Sequence, residues 1–220
     1  MKKRIKISQD DWAQDPRAEW DNLGTMICFH GRYNLGDKHD YSHDDFDGWD
    51  DLQNYIEKKL GGVVILPLYL YDHSGITMNT TGFSCPWDSG QVGFIYVSRE
   101  TLLKEYGGKK VTTKLKERVT QYLIGEVETY DQYLTGDVYR YDIEVAEEQV
   151  IIPKQDFDKG IYVPTQTTLA WEFEDSCSGF YGSDIGNGIG DYADVPKEVL
   201  EEALDNIDEW IEYEIIKIEL

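Results

Sequence analysis

Thr113-Lys-Leu-Lys-Glu-Arg-Val-Thr-Gln-Tyr-Leu-Ile-Gly-Glu-Val-Glu-Thr-Tyr-Asp-Gln-Tyr-Leu134, then Gly136, then Val138-Tyr-Arg-Tyr-Asp-Ile-Glu-Val145, is the stretch in which the hydrophobic period changes. Leu115, Val119, Tyr122, Leu123, Val127, Tyr130 and Leu134 recur every three or four residues, the spacing of one face of a helix. Gly136 stands just past that run, where a helix ends in a left-handed residue. From Val138 the apolar positions alternate instead, as in a half-buried strand. A long amphipathic helix followed directly by a strand sets the pattern for the chain.

Ile5 and Ile7 alternate with polar residues in a short first strand, and Leu23 to Phe29 reads as a second, entered from the Asp15-Pro16 turn. An acidic loop from Gly36 to Asp47 leads to a helix carrying Leu52, Tyr55, Ile56 and Leu60, closed by Gly61-Gly62. Val63 to Asp72 is a candidate central strand, with Pro67 at a bulge or edge. Phe94 to Val97 is a further strand, and Ser98 caps a brief helix to Tyr106 before the Gly107-Gly108 break. Thr168 to Phe173 reads as the last strand, and Gly179 to Gly190 as a tight irregular loop. A C-terminal helix follows, with Pro196 in its first turn and its buried stripe formed by Leu200, Leu204, Ile207, Ile211 and Ile215. Strands and helices mix without a βαβ beat, so the expected class is α+β. The expected architecture is one domain over residues 1–220, with a mixed or antiparallel sheet and three to four helices including the acidic C-terminal one.

The charge is the main clue to function. Forty-three Asp and Glu stand against 21 Lys and Arg, a net charge of −22 over 220 residues. Solubility asks for a magnitude of roughly 2–8 in a small domain, and the excess works against the compact state. Nucleic acid, anionic membrane and acidic ligands are disfavoured as direct partners, and basic surfaces that hold nucleic acid are favoured. With 13% aromatic residues, the acidity belongs to a folded protein and not to a disordered tail. Cys28, Cys85 and Cys177 are odd in number and far apart, which fits a reducing compartment. The start has no signal-peptide apolar run, and Val63 to Tyr71 is too short to cross a bilayer, so a cytoplasmic location is expected.

Two acidic clusters are candidate partner-binding surfaces. Glu198, Glu201, Glu202, Asp205, Asp208, Glu209 and Glu212 would lie opposite the apolar stripe of the C-terminal helix, with carboxylates about every 5 Å. Phosphates along a DNA strand are spaced only slightly further apart. Asp37, Asp40, Asp44, Asp45 and Asp47, continued by Asp50 and Asp51, precede and open the helix near Leu52. Against this acidity, Arg99, Lys104, Lys109, Lys110, Lys114, Lys116 and Arg118 outnumber Glu100, Glu105 and Glu117, so the chain is polar in charge. That segment could neutralise the Asp cluster or join two copies head to tail.

Chemistry has one dense candidate. Cys85, His73 and Asp88 or Asp72 would supply a thiolate, a proton acceptor and an orienting group if the loops at 71–75 and 83–93 converge. His39 and His43 are four apart beside Asp37, Asp40 and Asp44, but the Asp-rich loop lacks both a completing cysteine and the calcium-loop spacing, so no metal is expected. The glycines from 179 to 190 match neither a dinucleotide fold nor a P-loop, and no cofactor is expected.

The runs Cys85-Pro-Trp-Asp-Ser-Gly-Gln-Val-Gly-Phe-Ile-Tyr-Val97, Glu128-Thr-Tyr-Asp-Gln-Tyr-Leu-Thr-Gly136 and Asp175-Ser-Cys-Ser-Gly-Phe-Tyr-Gly182 resemble a family of uncharacterised proteins from bacteriophages and mobile elements. The likeness spans most of the chain and brings no catalytic residues with it. It implies a context in which small acidic phage proteins act against host defence. They do so by occupying the nucleic-acid site of a restriction or CRISPR enzyme. The expected function is therefore an inhibitor that binds a basic, nucleic-acid-binding host protein in the host cytoplasm, without touching nucleic acid or membrane. The alternatives are a Cys- or metal-dependent hydrolase at Cys85 and His73, or a domain that sequesters a small molecule in a Tyr- and Trp-lined pocket.

Overall fold

The computed structural model describes residues 1–108, 110–151, 158–160 and 166–215. The chain divides into two compact units, Met1–Ala13 with the chain from Val138 onward, and Gln14–Asp137. Each holds a four-stranded sheet in which all pairings are antiparallel, so the class is α+β. Six α-helices are present among the described residues, more than the three to four expected.

In the first unit, β1 (Lys2–Gln9) runs between β6 (Val138–Ile151) and β8 (Ile211–Glu214), and β7 (Gln166–Tyr181) closes the order β7-β6-β1-β8. Alternation along β1 buries Ile5 and Ile7 completely and leaves Lys2, Arg4 and Lys6 on the open face. There the Arg4 guanidinium lies between the rings of Trp171 and Trp210, 4.4 and 4.3 Å from their centroids, and pairs with Glu144. The buried face packs Tyr141, Ile143 and Phe180 against α5 (Ile185–Tyr192) and α6 (Lys197–Asp205).

Helix α5 replaces the irregular loop expected from the glycines. Its glycines form a smooth surface: a Cβ at Gly186 or Gly190 would lie 3.4 Å from Leu204 or Leu200 of α6, and one at Gly188 3.0 Å from Phe180. Ile185 and Ile189, four apart, point into the core and hold the helix there. The intrinsic cost of glycine in a helix is offset by this close packing.

In the second unit, β2 (Thr25–Cys28), β5 (Ser89–Ser98), β3 (Gly62–Asp72) and β4 (Ile76–Asn79) form the sheet in the order β2-β5-β3-β4. Helix α4 (Thr113–Thr135) covers one face with Val119, Leu123, Val127 and Tyr130. Helix α2 (Trp49–Lys58) covers the other with Leu52 and Ile56, against Ile27 and Phe94. Two covered faces explain why Val92 to Ile95 is buried without a break. Pro67 pairs with Phe94 on one side only, because β4 reaches no further than Tyr69. Short α1 (Pro16–Glu19) starts on the Asp15 cap, and α3 (Arg99–Tyr106) starts on Ser98, whose hydroxyl accepts from the Thr101 amide.

Candidate functional site

The acidity is uneven between the units. Residues 1–13 and 138–220 carry 23 Asp and Glu against nine Lys and Arg, whereas residues 14–137 carry 20 against twelve.

The C-terminal cluster does not lie on one long helix. Helix α6 stops at Asp205, the chain turns through Asn206–Glu209 with Asp208 at φ +69°, and β8 then pairs with β1. The Asp208 amide donates to the Ile7 carbonyl at 2.8 Å, tying the turn to β1, and the Asn206 side chain donates to the Glu202 carbonyl, one of the last four of the helix, at 2.8 Å. The i+4 stripe that suggested a continuous helix is also consistent with alternation, since Ile211, Tyr213 and Ile215 fit a period of two equally well. Glu198, Glu201, Glu202 and Asp205 therefore sit on the helix, Asp208 and Glu209 on the turn, and Glu212 on an edge strand. All seven are exposed. Lys197 pairs with Glu201 at 3.3 Å and Lys2 with Glu212 at 2.5 Å; the other five have no ion-pair partner among the described residues.

The aspartate loop is divided. Asp37 leaves the cluster: its carboxylate takes the Nε and an Nη of Arg17 at 2.8 Å each and the Met26 amide at 2.8 Å. Arg17, with its side chain 1% exposed, also donates to Glu126 at 3.0 Å and to the Gly24 carbonyl at 2.7 Å. Glu126 in turn accepts the Leu23 and Gly24 amides. Burial pulls the Arg17 pKa down, and the hydrogen bonds and charges of Asp37 and Glu126 more than offset it, leaving it raised. Asp40, Asp44, Asp45 and Asp47 are exposed. Asp45 completes a capping box with Ser42 over the turn at His43–Asp45, and Asp51 accepts the Asp47 amide.

The two loops of the cysteine candidate do converge, held by the Asp72 amide on the Asp88 carbonyl at 2.8 Å. The centre of the group is Asp88: its Oδ2 lies 3.7 Å from Cys85 Sγ and 3.4 Å from His73 Nδ1. A carboxylate, not an imidazole, therefore faces the thiol. This order can orient His73 but gives Cys85 no imidazole base in contact. Asp72 has other partners, Arg32 and, at 3.8 Å, His30 Nε2. His30 Nδ1 accepts the Arg32 and Tyr33 amides, which places its proton on the nitrogen facing Asp72. A cleft of about 520 Å³ opens here, lined by Phe29, His30, Arg32, Trp49, Trp87 and Asp88 among others. No spacing in the sequence links His30 and Arg32 to Asp72; the sheet order β2-β5-β3 brings them together.

His39 Nε2 lies 3.0 Å from the Cys28 carbonyl, and the rings of His39 and His43 both meet Phe29 edge-on. Among the described residues, no group of three His, Cys, Asp or Glu is placed to hold a metal ion. No described helix is long and apolar enough to cross a membrane. Of the basic segment, Lys104, Lys110, Lys114, Lys116 and Arg118 are exposed, and Lys109 lies outside the described residues.

Each motif run has a structural task. Cys85 to Val97 is β5 and the loop that feeds it. In the second run the Tyr130 hydroxyl accepts the Gly36 amide at 3.0 Å, Asp131 accepts the Thr77 hydroxyl and the Met78 amide, and Gly136 caps α4 at φ +74°. In the third, Asp175 accepts the Tyr141 hydroxyl at 2.8 Å, and Gly179, at φ +84°, donates its amide to Asp10. Comparison of the chain with protein-family models, curated proteins and solved structures found no match.

Proposed function

We propose that this protein is a stoichiometric, phage-type inhibitor acting in the host cytoplasm. It binds a basic, nucleic-acid-binding defence protein through the acidic rim from Glu198 to Glu212. The observation that supports this reading is the state of the rim: seven exposed carboxylates, five of them without an ion-pair partner among the described residues. Carboxylates serving the fold of this chain are engaged by its own groups, as Asp37 and Glu126 are by Arg17 and Asp131 is by Thr77 and Met78. Unpaired ones are held against their own repulsion and are available to lysines and arginines that otherwise contact phosphate. Asp40, Asp44, Asp45 and Asp47 add a second acidic surface in the other unit, and Asp37 takes no part. A binder of this kind acts in proportion to its amount and weakens as salt screens the pairs.

A hydrolase is the second reading, favoured by the meeting of Cys85 and His73 at Asp88. An enzyme turns over, so trace amounts would suffice. Titration of host nuclease or restriction activity against the protein separates the two. Inhibition complete near one equivalent, and retained in a Cys85→Ser, His73→Ala double variant, supports the binder. Inhibition at trace amounts that vanishes in that variant supports the hydrolase.

A further inference from the structure

The strongest charged feature left over is a cationic pole on the second unit, at the C-terminal end of α3 and the start of α4. Lys104, Lys110, Lys114, Lys116 and Arg118 are exposed, and none makes an ion pair among the described residues. Arg118 rests against the Tyr106 ring at 5.3 Å. Lys114 and Lys116 stand in or beside the first turn of α4, which carries no acidic residue to favour the helix N-terminus. Glu105 and Glu117 are exposed in the same segment and lower its charge without cancelling it, and the cations at the start of α4 oppose the helix dipole. An anion seated on the pole would relieve that opposition.

We propose that the occupant is the acidic rim of a second copy: Glu198, Glu202, Asp205, Asp208 and Glu209 dock on Lys104, Lys110, Lys114, Lys116 and Arg118. The complementarity is of sign: five carboxylates face five cations that outnumber Glu105 and Glu117 in their segment, and neither the five carboxylates nor the five cations have ion-pair partners among the described residues. The contact is head to tail, so it builds rings or open chains instead of a two-fold dimer. It shares the rim with the proposed inhibitor surface but needs no host protein, so it can fail or hold independently of that reading.

The charge of the whole chain gives this contact an unusual salt signature. Each copy carries −22, so two copies repel as wholes while the pole and rim attract locally. At about 0.01 M salt the Debye length is roughly 30 Å and whole-molecule repulsion dominates. At about 0.1 M it is roughly 10 Å, which leaves the close pairs and screens the rest. At about 1 M, near 3 Å, the pairs themselves are screened.

Sedimentation velocity of the full chain over a concentration series, at those three salt levels, tests this. The expected result is self-association greatest near 0.1 M and at least about tenfold weaker at either extreme. Two variants locate it: a pole variant, Lys114→Glu with Lys116→Glu and Arg118→Glu, and a rim variant, Glu198→Lys with Glu202→Lys, Asp205→Lys and Glu209→Lys. Each alone should stay monomeric, and an equimolar mixture should associate, although both remain net negative. All substituted positions are exposed, and circular dichroism checks the fold. If a variant misfolds, the wild-type salt series still decides. A chain that is monomeric at every salt, or association that survives either reversal, overturns the proposal. So would a monomeric chain that binds a fluorescein-labelled oligonucleotide through the pole, which would make nucleic acid the occupant.

Discussion

Arg17 shows most directly how this acidic chain spends its few cations. Its guanidinium is buried and forms a two-pronged contact with Asp37, a further bond to Glu126 and one to a backbone carbonyl. Removing it strands two carboxylates and the amides they order, so Arg17→Met should cost about 3–5 kcal/mol in urea denaturation. Arg17→Lys should recover only part of that, because an ammonium cannot reproduce the fork. A loss below about 1 kcal/mol for Arg17→Met would contradict the role given to this cluster. Buried acids of the opposite kind set the alkaline limit. Burial pushes the Cys28 thiol up to about 12, and Asp37 adds to it while Arg17 opposes; burial likewise takes Tyr130 to about 12. Tyr213 also rises to about 12, through burial and then the charges of Glu174 and Asp194. Thiols and phenols are neutral when protonated, so the folded chain keeps protons that the unfolded chain releases above about pH 9–10. Their contribution is full below that range and is lost as pH rises towards about 12. Melting temperature should therefore fall steeply between about pH 9 and pH 11, with tyrosinate absorbance appearing at the unfolding transition. A flat profile with early tyrosinate absorbance would show these groups in water.

At the scale of the element, β5 is the most constrained piece of the fold. A Cβ on Gly93 would lie 2.0 Å from the Ile27 carbonyl oxygen of the neighbouring strand β2. Backbone cannot yield as a side-chain tip does, so Gly93→Ala should separate β2 from β5 and cost at least about 3 kcal/mol or abolish folding. Gly90, in the same strand, has nothing within 4 Å of such a Cβ, and Gly90→Ala should change stability by no more than about 0.5 kcal/mol. Equal effects would contradict the register assigned to β2 and β5. The elements that the sequence showed best were those with one period and a clean end: α4 between Thr112 and Gly136, and α3 on its Ser98 cap. Those it hid have physical reasons. Ile211 and Ile215 satisfy both helical and strand spacing, and only pairing with β1 decides between them. The glycines of α5 carry no hydrophobic signal, because their task is to let Leu200, Leu204 and Phe180 approach. The carboxylates of the rim were legible as a set, yet their division among helix, turn and strand was not. Asp37 could not be told from its acidic neighbours until its distant partner, Arg17, was placed.

For the whole molecule, the charge of −22 is partly absorbed by internal pairs, and five of the seven rim carboxylates from Glu198 to Glu212 have no ion-pair partner among the described residues. In the proposed inhibitor reading, this rim takes the place of nucleic acid on a basic protein. Capture from a nuclease-treated bacterial lysate on the immobilised chain, followed by elution with duplex DNA, distinguishes this reading from the others. Wild type is compared with a variant in which Glu198, Glu201, Glu202, Asp205 and Glu209 are changed to Lys. A nucleic-acid-binding protein should be retained at about 0.1 M salt, released by DNA or by about 1 M salt, and lost from the variant. Retention by the variant, or a bound protein that DNA does not displace, would contradict that reading.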